Sequence, residues 1–330
     1  MHECFVRMIA SLGDASTMSP TSTPRSQATR SREAGPEWAR LAACVGIIWF
    51  HASAPGHLIA YGGLPLLTAL SVMFAIRVRS GTTVGAVWRS RVTRLGVPWL
   101  FWSAVYAVLK SGQAIAAGEP IGTVFEPVML LTGPALHLWW LPYALVVTGL
   151  AGTLAATGAL RATAACWWVM GFALVLSPPL ICWAMSHRPG TPLAQWSFTA
   201  PSVALGLVTG MIVAHAAGVR RAVLIGVASA LFLVSCALSD WLIARALLIP
   251  YAAGVAVLMV TLAARAPAGP IVSWLGGLSF GVYLVHPALI SLVERTGVIP
   301  PRSILLVGVV TVLSFVAAAV LKKTPLARLI

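Results

Sequence analysis

The segment Glu37–Ala54 reads EWARLAACVGIIWFHASA and is the first apolar stretch of the chain. It contains Arg40 near its start and His51 further along, with ten residues between them. In an α-helix, the eleven steps from Arg40 to His51 bring both residues onto nearly one face, about 16 Å apart along the axis. If this helix enters a bilayer at Arg40, His51 lies near the midplane. A histidine at that depth faces protein or a watery cavity, so it is either a neutral, hydrogen-bonded core residue or a functional group.

The composition is that of an integral membrane protein. Of the 330 residues, 59% are hydrophobic and 9% are charged, and the mean hydropathy is +0.91. Soluble domains carry about 25% charged residues. The net charge of +14 comes mainly from short basic clusters between apolar runs, which differs from a soluble nucleic-acid-binding module, so we expect no nucleic-acid partner. The five cysteines show no metal-binding spacing, and neither a disulfide nor a structural zinc site is predicted.

Ten apolar segments predict the fold class, an all-α, polytopic membrane helix bundle. Several are long enough to cross the roughly 30 Å hydrocarbon core of a bilayer. They cover residues 39–57, 61–77, 95–110, 136–157, 163–184, 200–217, 222–238, 242–262, 272–292 and 303–321. Residues 1–36 precede them as a basic tail rich in Ser, Thr and Pro, which we predict to be disordered or weakly structured. Residues 37–330 form one membrane domain.

The basic residues predict the orientation of the bundle. With the N-terminus in the cytoplasm, only five of the 22 Lys and Arg residues fall on the outer side. These five are Lys110, Arg188, Arg245, Arg295 and Arg302. Because cytoplasmic loops of membrane proteins carry an excess of Lys and Arg, both termini are predicted to be cytoplasmic.

Three arginines lie at the end of a predicted cytoplasmic loop, just before the third segment. They are Arg89, Arg91 and Arg94, and the last two share a face if a helix starts there. Together they could bind phosphate groups through charge-assisted hydrogen bonds. For such a cluster taken alone, simple anchoring of the protein at the membrane surface is the favoured explanation.

Two further groups of polar and aromatic side chains lie in the fourth and ninth segments. His137 begins the run HLWW, whose Trp139 belongs either to an interfacial aromatic belt or to the lining of a sugar- or acyl-binding cavity. In the ninth segment, Ser279, Tyr283 and His286 are four and three residues apart and share one helix face. Such a stripe faces protein or water rather than lipid, either as hydrogen-bonding contacts between helices or as part of a site.

Four features thus follow one another along the chain: the Arg40–His51 pair, the Arg91–Arg94 pair, the run at His137, and the run GLSFGVYLVH that ends at His286. In this order and spacing they resemble the membrane-bound acyltransferase 3 family, enzymes that O-acylate bacterial surface polysaccharides. The resemblance covers residues 37–321. Each motif is weak alone, whereas the ordered set is specific.

The resemblance implies an acyl-CoA donor, most commonly acetyl-CoA, at the cytoplasmic face of the bacterial inner membrane. It also implies a carbohydrate acceptor, the hydroxyl of a surface polysaccharide or lipid-linked glycan. By the same resemblance, His51 is the catalytic histidine with Arg40 as its motif partner, and Arg91 and Arg94 bind the donor. Supporting or substrate-binding positions are Ser71, His137, Trp139, Tyr283 and His286. The chain departs from the family in the second segment, where Ser71-Val72-Met73 stands at the place of a common Ser-Gly-Phe element.

The chemistry agrees with this resemblance. Acyl transfer from a thioester to an alcohol needs a general base and donors for the developing oxyanion. No Asp or Glu lies deep within a predicted segment, so a histidine is the available base. We expect neutral His51 to activate the acceptor hydroxyl, or alternatively to take the acyl group covalently, without a metal ion. A transporter of a small molecule or of a lipid-linked glycan is the alternative function, but no repeat symmetry between halves supports it.

Overall fold

The computed structural model describes residues 34–120, 122, 125–187, 194–243, 247–263 and 269–330. Nearly all of the predicted tail, together with Arg188 and Arg245, therefore lies outside the described residues. The first described helix begins at Ala34, and the boundary between tail and membrane domain at residue 37 stays a prediction. Over the described ranges the secondary structure is helical, with no β-strand, which confirms the all-α fold class.

The helices of the described part are listed here in chain order. The α-helices are α1 (Ala34–His51), α2 (His57–Ala60), α3 (Gly63–Ala75), α4 (Val84–Arg91), α5 (Val97–Ala117), α6 (Met129–Thr132), α7 (Trp140–Ala156), α8 (Ala164–His187), α9 (Ala194–His215), α10 (Gly218–Ile243), α11 (Leu248–Ala263), α12 (Pro270–Gly276), α13 (Ser279–Arg295) and α14 (Ile304–Leu321). A π turn (Val92–Gly96) joins α4 to α5, and 3-10 helices cover Leu136–Trp139 and Pro325–Leu329.

Every predicted apolar segment contains a helix. Within the described residues, seven helical stretches are long and apolar enough to cross a membrane, and the bent pair α12–α13 would make eight. The apolar α11 is shorter, and α1 is of spanning length but carries Glu37, Arg40 and His51. A polytopic helix bundle is therefore confirmed, whereas the number ten and the cytoplasmic termini stay predictions.

Two predicted segments have different boundaries in the structure. The arginine-rich stretch before the third segment is helix rather than loop, because α4 begins at Val84 and continues through the π turn into α5. The Thr83 side chain caps this start by accepting a hydrogen bond from the backbone of Ala86 at 3.3 Å. The ninth segment is not one straight helix, since α12 and α13 bend by 56° at Gly277 and Leu278.

The chain reverses direction directly after His51. Ser53 and Gly56 both have positive φ, 50° and 80°, and the turn they form leads into α2 and α3. Helix α3 then packs closely on α1, because a Cβ on Gly63 of α3 would lie 2.6 Å from the carbonyl oxygen of Ala43 of α1. His51 consequently lies at the C-terminal end of α1, at the tip of a tight helical hairpin.

The hairpin separates two packed regions. On one side, α3 packs with α8, α9, α10 and α11 around fully buried residues such as Phe232 and Tyr251. On the other side, aromatic residues of α5, α7 and α13, among them Trp102, Tyr106 and Tyr283, form a second core. The tip of the hairpin with His51 adjoins this aromatic region, where the candidate site lies.

Candidate active site

Three histidines from distant parts of the chain meet beside the aromatic region. The ring centroids of His51 and His286 are 5.2 Å apart, and those of His286 and His137 are 5.5 Å apart. His286 and His137 are buried, and His51 is half-buried. Tyr283 adjoins the group, with its ring centroid 5.7 Å from that of His137. We call these four residues the histidine cluster.

The cluster forms because α1 and α13 lie side by side in register. The Cys44 thiol donates a hydrogen bond to the backbone carbonyl of Ser279 at 3.3 Å. His51 follows Cys44 by seven residues and His286 follows Ser279 by seven residues, which is about two helical turns in each case. The predicted stripe of Ser279, Tyr283 and His286 is buried along one face of α13, as the spacing indicates.

Hydrogen bonds hold the rings of the cluster in place. The Tyr283 hydroxyl donates to the backbone carbonyl of His137, and the Tyr106 hydroxyl donates to that of Leu284 at 2.7 Å. Nδ1 of His286 lies 2.8 Å from the carbonyl oxygen of Tyr283. Because a carbonyl only accepts, Nδ1 carries the hydrogen, and Nε2 of the neutral ring is an acceptor.

Two ring nitrogens of the cluster are left open. Nε2 of His137 and Nε2 of His286 are buried, and neither has a hydrogen-bond partner among the residues that the structure describes. Buried polar atoms in folded proteins nearly always have a partner, so these two point to a ligand or a water molecule. Since Nε2 of His286 is an acceptor, it can take a hydrogen bond from the N–H of the neighbouring His51 ring or from a substrate hydroxyl that enters there.

Arg40 does not reach the cluster, since it lies about 16 Å from His51 along α1. Its Nη1 donates to Glu37 at 3.0 Å in an ion pair. Its guanidinium lies 5.6 Å from the ring centroid of Phe74, and that of Arg77 lies 4.8 Å from the same ring. The structure thus groups Arg40 with Arg77 rather than with His51.

Arg89 and Arg91 of α4, together with Arg94 in the π turn that follows, lie at the same end of the bundle as Arg77. A Cβ on Gly152 of α7 would lie 2.7 Å from Val87 of α4 and 3.5 Å from the carbonyl oxygen of Ala75 of α3, so these three helices meet there. Arg77 follows α3 by two residues, and the three other arginines follow Val87 closely along the chain. We call this end, which carries Arg40, Arg77, Arg89, Arg91 and Arg94, the basic end.

The side chains of Arg89, Arg91 and Arg94 do not share the same surroundings. Arg89 and Arg94 line a cleft of about 560 Å³ together with small and hydroxyl residues, among them Ser90 and Thr93. Arg91 does not line this cleft, and its Nε is buried without a hydrogen-bond partner in the described part of the chain. A shared face of Arg91 and Arg94 is expected if a helix starts there, but the helix begins earlier, at Val84, and Arg94 lies in the π turn that directly follows Arg91.

Ser71 lies outside the cluster, on α3. It is half-buried, whereas the following Val72 and Met73 are buried against α9. A Cβ on Gly206 of α9 would lie 2.9 Å from Cβ of Val72, and one on Gly210 would lie 3.2 Å from Cα of Met73. The close helix contact at the departure from the Ser-Gly-Phe element is thus made by glycines of α9.

Trp139 belongs to the interior of the bundle. Its side chain is 5% exposed, as is that of Trp140, whose Nε1 donates to Thr68 at 3.1 Å. The ring centroid of Trp139 lies 5.8 Å from that of Tyr143, which in turn lies 5.4 Å from Trp196. The run at His137 is therefore not an exposed interfacial belt.

Sequence reasoning missed two residues of this region. Tyr106 supports the cluster, since its ring centroid lies 4.9 Å from that of His137, but a tyrosine in an aromatic-rich segment gives no local signal. Glu37 is the buried partner of Arg40 in an ion pair. A spacing of three residues is typical of ion pairs along a helix, so this contact could have been predicted from the sequence. Within the described ranges, no group of three His, Cys, Asp or Glu side chains is arranged to hold a metal ion.

A half-buried histidine within the histidine cluster and a separate arginine-rich end form an arrangement that suits a membrane-embedded acyl-transfer enzyme. The family model of the acyltransferase 3 family, described as an acyltransferase domain, matches residues 33–323. The chain therefore belongs to this family and is an acyltransferase, which confirms the resemblance drawn from the four motifs. Comparison with curated proteins and with solved structures gives no match.

Proposed function

We propose that this acyltransferase moves an acyl group, in the first instance acetyl, from acyl-CoA to a hydroxyl of a surface or exported glycan. The observation that carries the proposal is the histidine cluster, in which His51 stands beside two buried ring nitrogens that lack partners. The basic end then faces the bacterial cytoplasm, where CoA thioesters are found, and the protein lies in the inner membrane. Basic residues at that end favour this orientation.

In the proposed reaction His51 acts as the general base. One of its ring nitrogens accepts the proton of the acceptor hydroxyl while that oxygen forms a bond to the thioester carbonyl carbon. The carbon–sulfur bond then breaks, and the CoA thiolate takes the proton from the imidazolium. His286 is a positioning residue in this scheme, because its Nε2 can accept a hydrogen bond from the N–H of His51 and so orient the ring 5.2 Å away.

The donor is held at the basic end. Arg89 and Arg94 line a cleft whose charge and hydroxyl groups suit the phosphates of CoA, and Arg91 offers a half-buried guanidinium nearby. The basic end and His51 are about 16 Å apart, measured along α1 from Arg40. The extended pantetheine arm of CoA is long enough for a separation of this order, so the thioester can reach His51 while the phosphates stay at the surface.

The test is acyl transfer from radiolabelled acetyl-CoA to glycan in membranes that contain equal amounts of each variant. We expect His51→Ala to lose activity by about 10²–10⁴-fold, the usual contribution of a general base. The double variant Arg91→Ala, Arg94→Ala should lose activity through a raised KM for acetyl-CoA. His215→Ala and Arg79→Ala are the controls, since both residues are exposed and lie outside the site.

The outcomes separate the parts of the proposal. Labelling by wild type that His51→Ala abolishes supports both the reaction and the base. If His51→Ala labels glycan as well as wild type does, His51 is not the base, although the proposed reaction stands. If wild type moves substrate across the membrane and labels no glycan with any acyl donor tested, the proposed reaction is wrong.

A further inference from the structure

A cleft opens at the end of the bundle opposite the basic end. It has a volume of about 480 Å³, which lies in the range of small-molecule sites. Lys110 of α5 lines it, and this residue follows Arg91 by 19 residues of nearly continuous helix. At about 1.5 Å per residue, the separation along the axis is about 28 Å, close to the thickness of the hydrocarbon core. We call this opening the distal cleft.

The distal cleft shares its inner wall with the histidine cluster. Tyr106 lines the cleft, and its ring centroid is 4.9 Å from that of His137. Pro287 also lines it and directly follows His286, while Ala135 lines it two residues before His137. A molecule in the cleft is therefore separated from the cluster by one layer of residues, and the cleft suits the substrate that arrives from the side opposite the donor.

The charged residues of the distal cleft are both cations. Lys110 and Arg295 line it together with the polar Gln113 and Ser291, and no Asp or Glu is among its described lining residues. Glu294 precedes Arg295 in the chain, but it is exposed and does not line the cleft. In the described part of the protein, neither cation has a carboxylate within ion-pair distance. The potential in the cleft is therefore positive.

We propose that the acceptor of the acyl group is an anion, bound in the distal cleft by Lys110 and Arg295. The charge is a carboxylate of an acidic sugar or a phosphate attached to the sugar, since both form charge-assisted hydrogen bonds with ammonium and guanidinium groups. The inference rests on the proposed function in one respect, namely that the ligand of this cleft is the acceptor.

Surface anchoring is the competing explanation, because Lys and Arg at helix ends often extend to the membrane surface. The chain offers a matched control for it. Arg302 is an exposed cation on the predicted outer side but does not line the distal cleft. If Lys110 and Arg295 only anchor the protein at the membrane surface, substituting Arg302 should have the same effect on ligand binding as substituting either of them.

The experiment measures ligand binding to the full-length protein in phosphatidylcholine nanodiscs. The probes are trigalacturonate, its fully methyl-esterified form, which has the same size but no charge, and galactose 1-phosphate. We expect both anions to bind wild type about tenfold more tightly than the methyl ester, and 0.5 M NaCl to remove most of this difference. Tighter binding of trigalacturonate indicates an acceptor with a carboxylate, and tighter binding of galactose 1-phosphate indicates an acceptor with a phosphate. Lys110→Ala combined with Arg295→Ala should abolish the preference, whereas Arg302→Ala should keep it.

The transfer assay on membrane glycan completes the test. We expect the Lys110, Arg295 double variant to label glycan about tenfold more slowly than wild type, with an unchanged KM for acetyl-CoA. Equal binding of the methyl ester, or a preference that survives in the double variant, overturns the inference. Equal labelling rates in the double variant and wild type overturn it as well, while the proposed function stands. Anion preference without any glycan labelling by wild type contradicts the proposed function and the acceptor role together.

Discussion

The close contact between α3 and α9 predicts how a substitution at Gly206 changes the stability of the protein. Among the described helices this pair has the most extensive contact, and Gly206 lies at its centre. A Cβ on Gly206 would lie 2.5 Å from the carbonyl oxygen of Ala69, 3.0 Å from its Cα, and 2.9 Å from Cβ of Val72. Two of these three atoms belong to the backbone, so Gly206→Ala forces the helices apart.

The magnitude follows from two opposed effects. Overpacking of this kind costs about 1–3 kcal/mol, and the short backbone contact favours the upper end. Replacing a helical glycine by alanine stabilises by about 1 kcal/mol, which leaves a net loss of about 2 kcal/mol. Gly226 in α10 is the matched control, because a Cβ there meets nothing within 4 Å. Gly226→Ala should stabilise by about 1 kcal/mol.

The assay is thermal unfolding of both variants and wild type in nanodiscs. The two variants differ by about 3 kcal/mol, which corresponds to roughly 6 °C in the unfolding midpoint for a large domain. The order should be Gly226→Ala, then wild type, then Gly206→Ala. A midpoint for Gly206→Ala at or above that of Gly226→Ala would refute the close α3–α9 contact.

Three substitutions test the site itself. Arg91→Ala should raise the KM for acetyl-CoA about tenfold at nearly constant kcat, because a ground-state contact with the donor is lost, whereas an equal effect of Arg79→Ala would contradict this role. Tyr283→Phe removes the hydroxyl that donates to His137, so thermal unfolding should show a loss of about 1 kcal/mol; an unchanged midpoint would show that this hydrogen bond adds no stability. His286→Ala should lower kcat about 100-fold and move the acidic limb of the pH–rate profile, while His286→Gln, which keeps an acceptor, recovers part of the rate; a profile that does not move would indicate a purely structural role.

The fold class could be read from the sequence because a bilayer demands long apolar helices. The helical nature of the arginine-rich stretch could not, since its residues break the apolar pattern. Tertiary contacts stabilise the helix in this stretch. Trp88 donates a hydrogen bond to Thr153 of α7 at 3.1 Å, and a Cβ on Gly149 would lie 2.7 Å from the ring of Trp88. Helix α4 is thus held by α7 although its own sequence is weakly apolar.

In the candidate site, too, contacts within one helix could be predicted from the sequence, whereas contacts between distant segments could not. Spacing alone predicted that Tyr283 and His286 share a face, because i and i+3 positions are neighbours on a helix. The meeting of His51, His137 and His286 depends on how three separate segments pack, and no local pattern encodes it. The motif order singled out these residues, whose roles stay predictions, and the structure shows that they lie together.

The separation of Arg40 from His51 is itself an argument about mechanism. An α-helix has a fixed rise per residue, so the ten residues between Arg40 and His51 set their axial separation at about 16 Å and keep both side chains on one face. Arg40 is anchored by Glu37 and Phe74 at the basic end, while the chain reverses immediately after His51. In the proposed mechanism, a base at a set depth below a basic surface suits a donor whose charged and reactive groups lie at opposite ends of a long arm. On the proposed mechanism, the spacing between Arg40 and His51 therefore matches the length of the donor, and Arg40 acts through the basic end rather than through contact with His51.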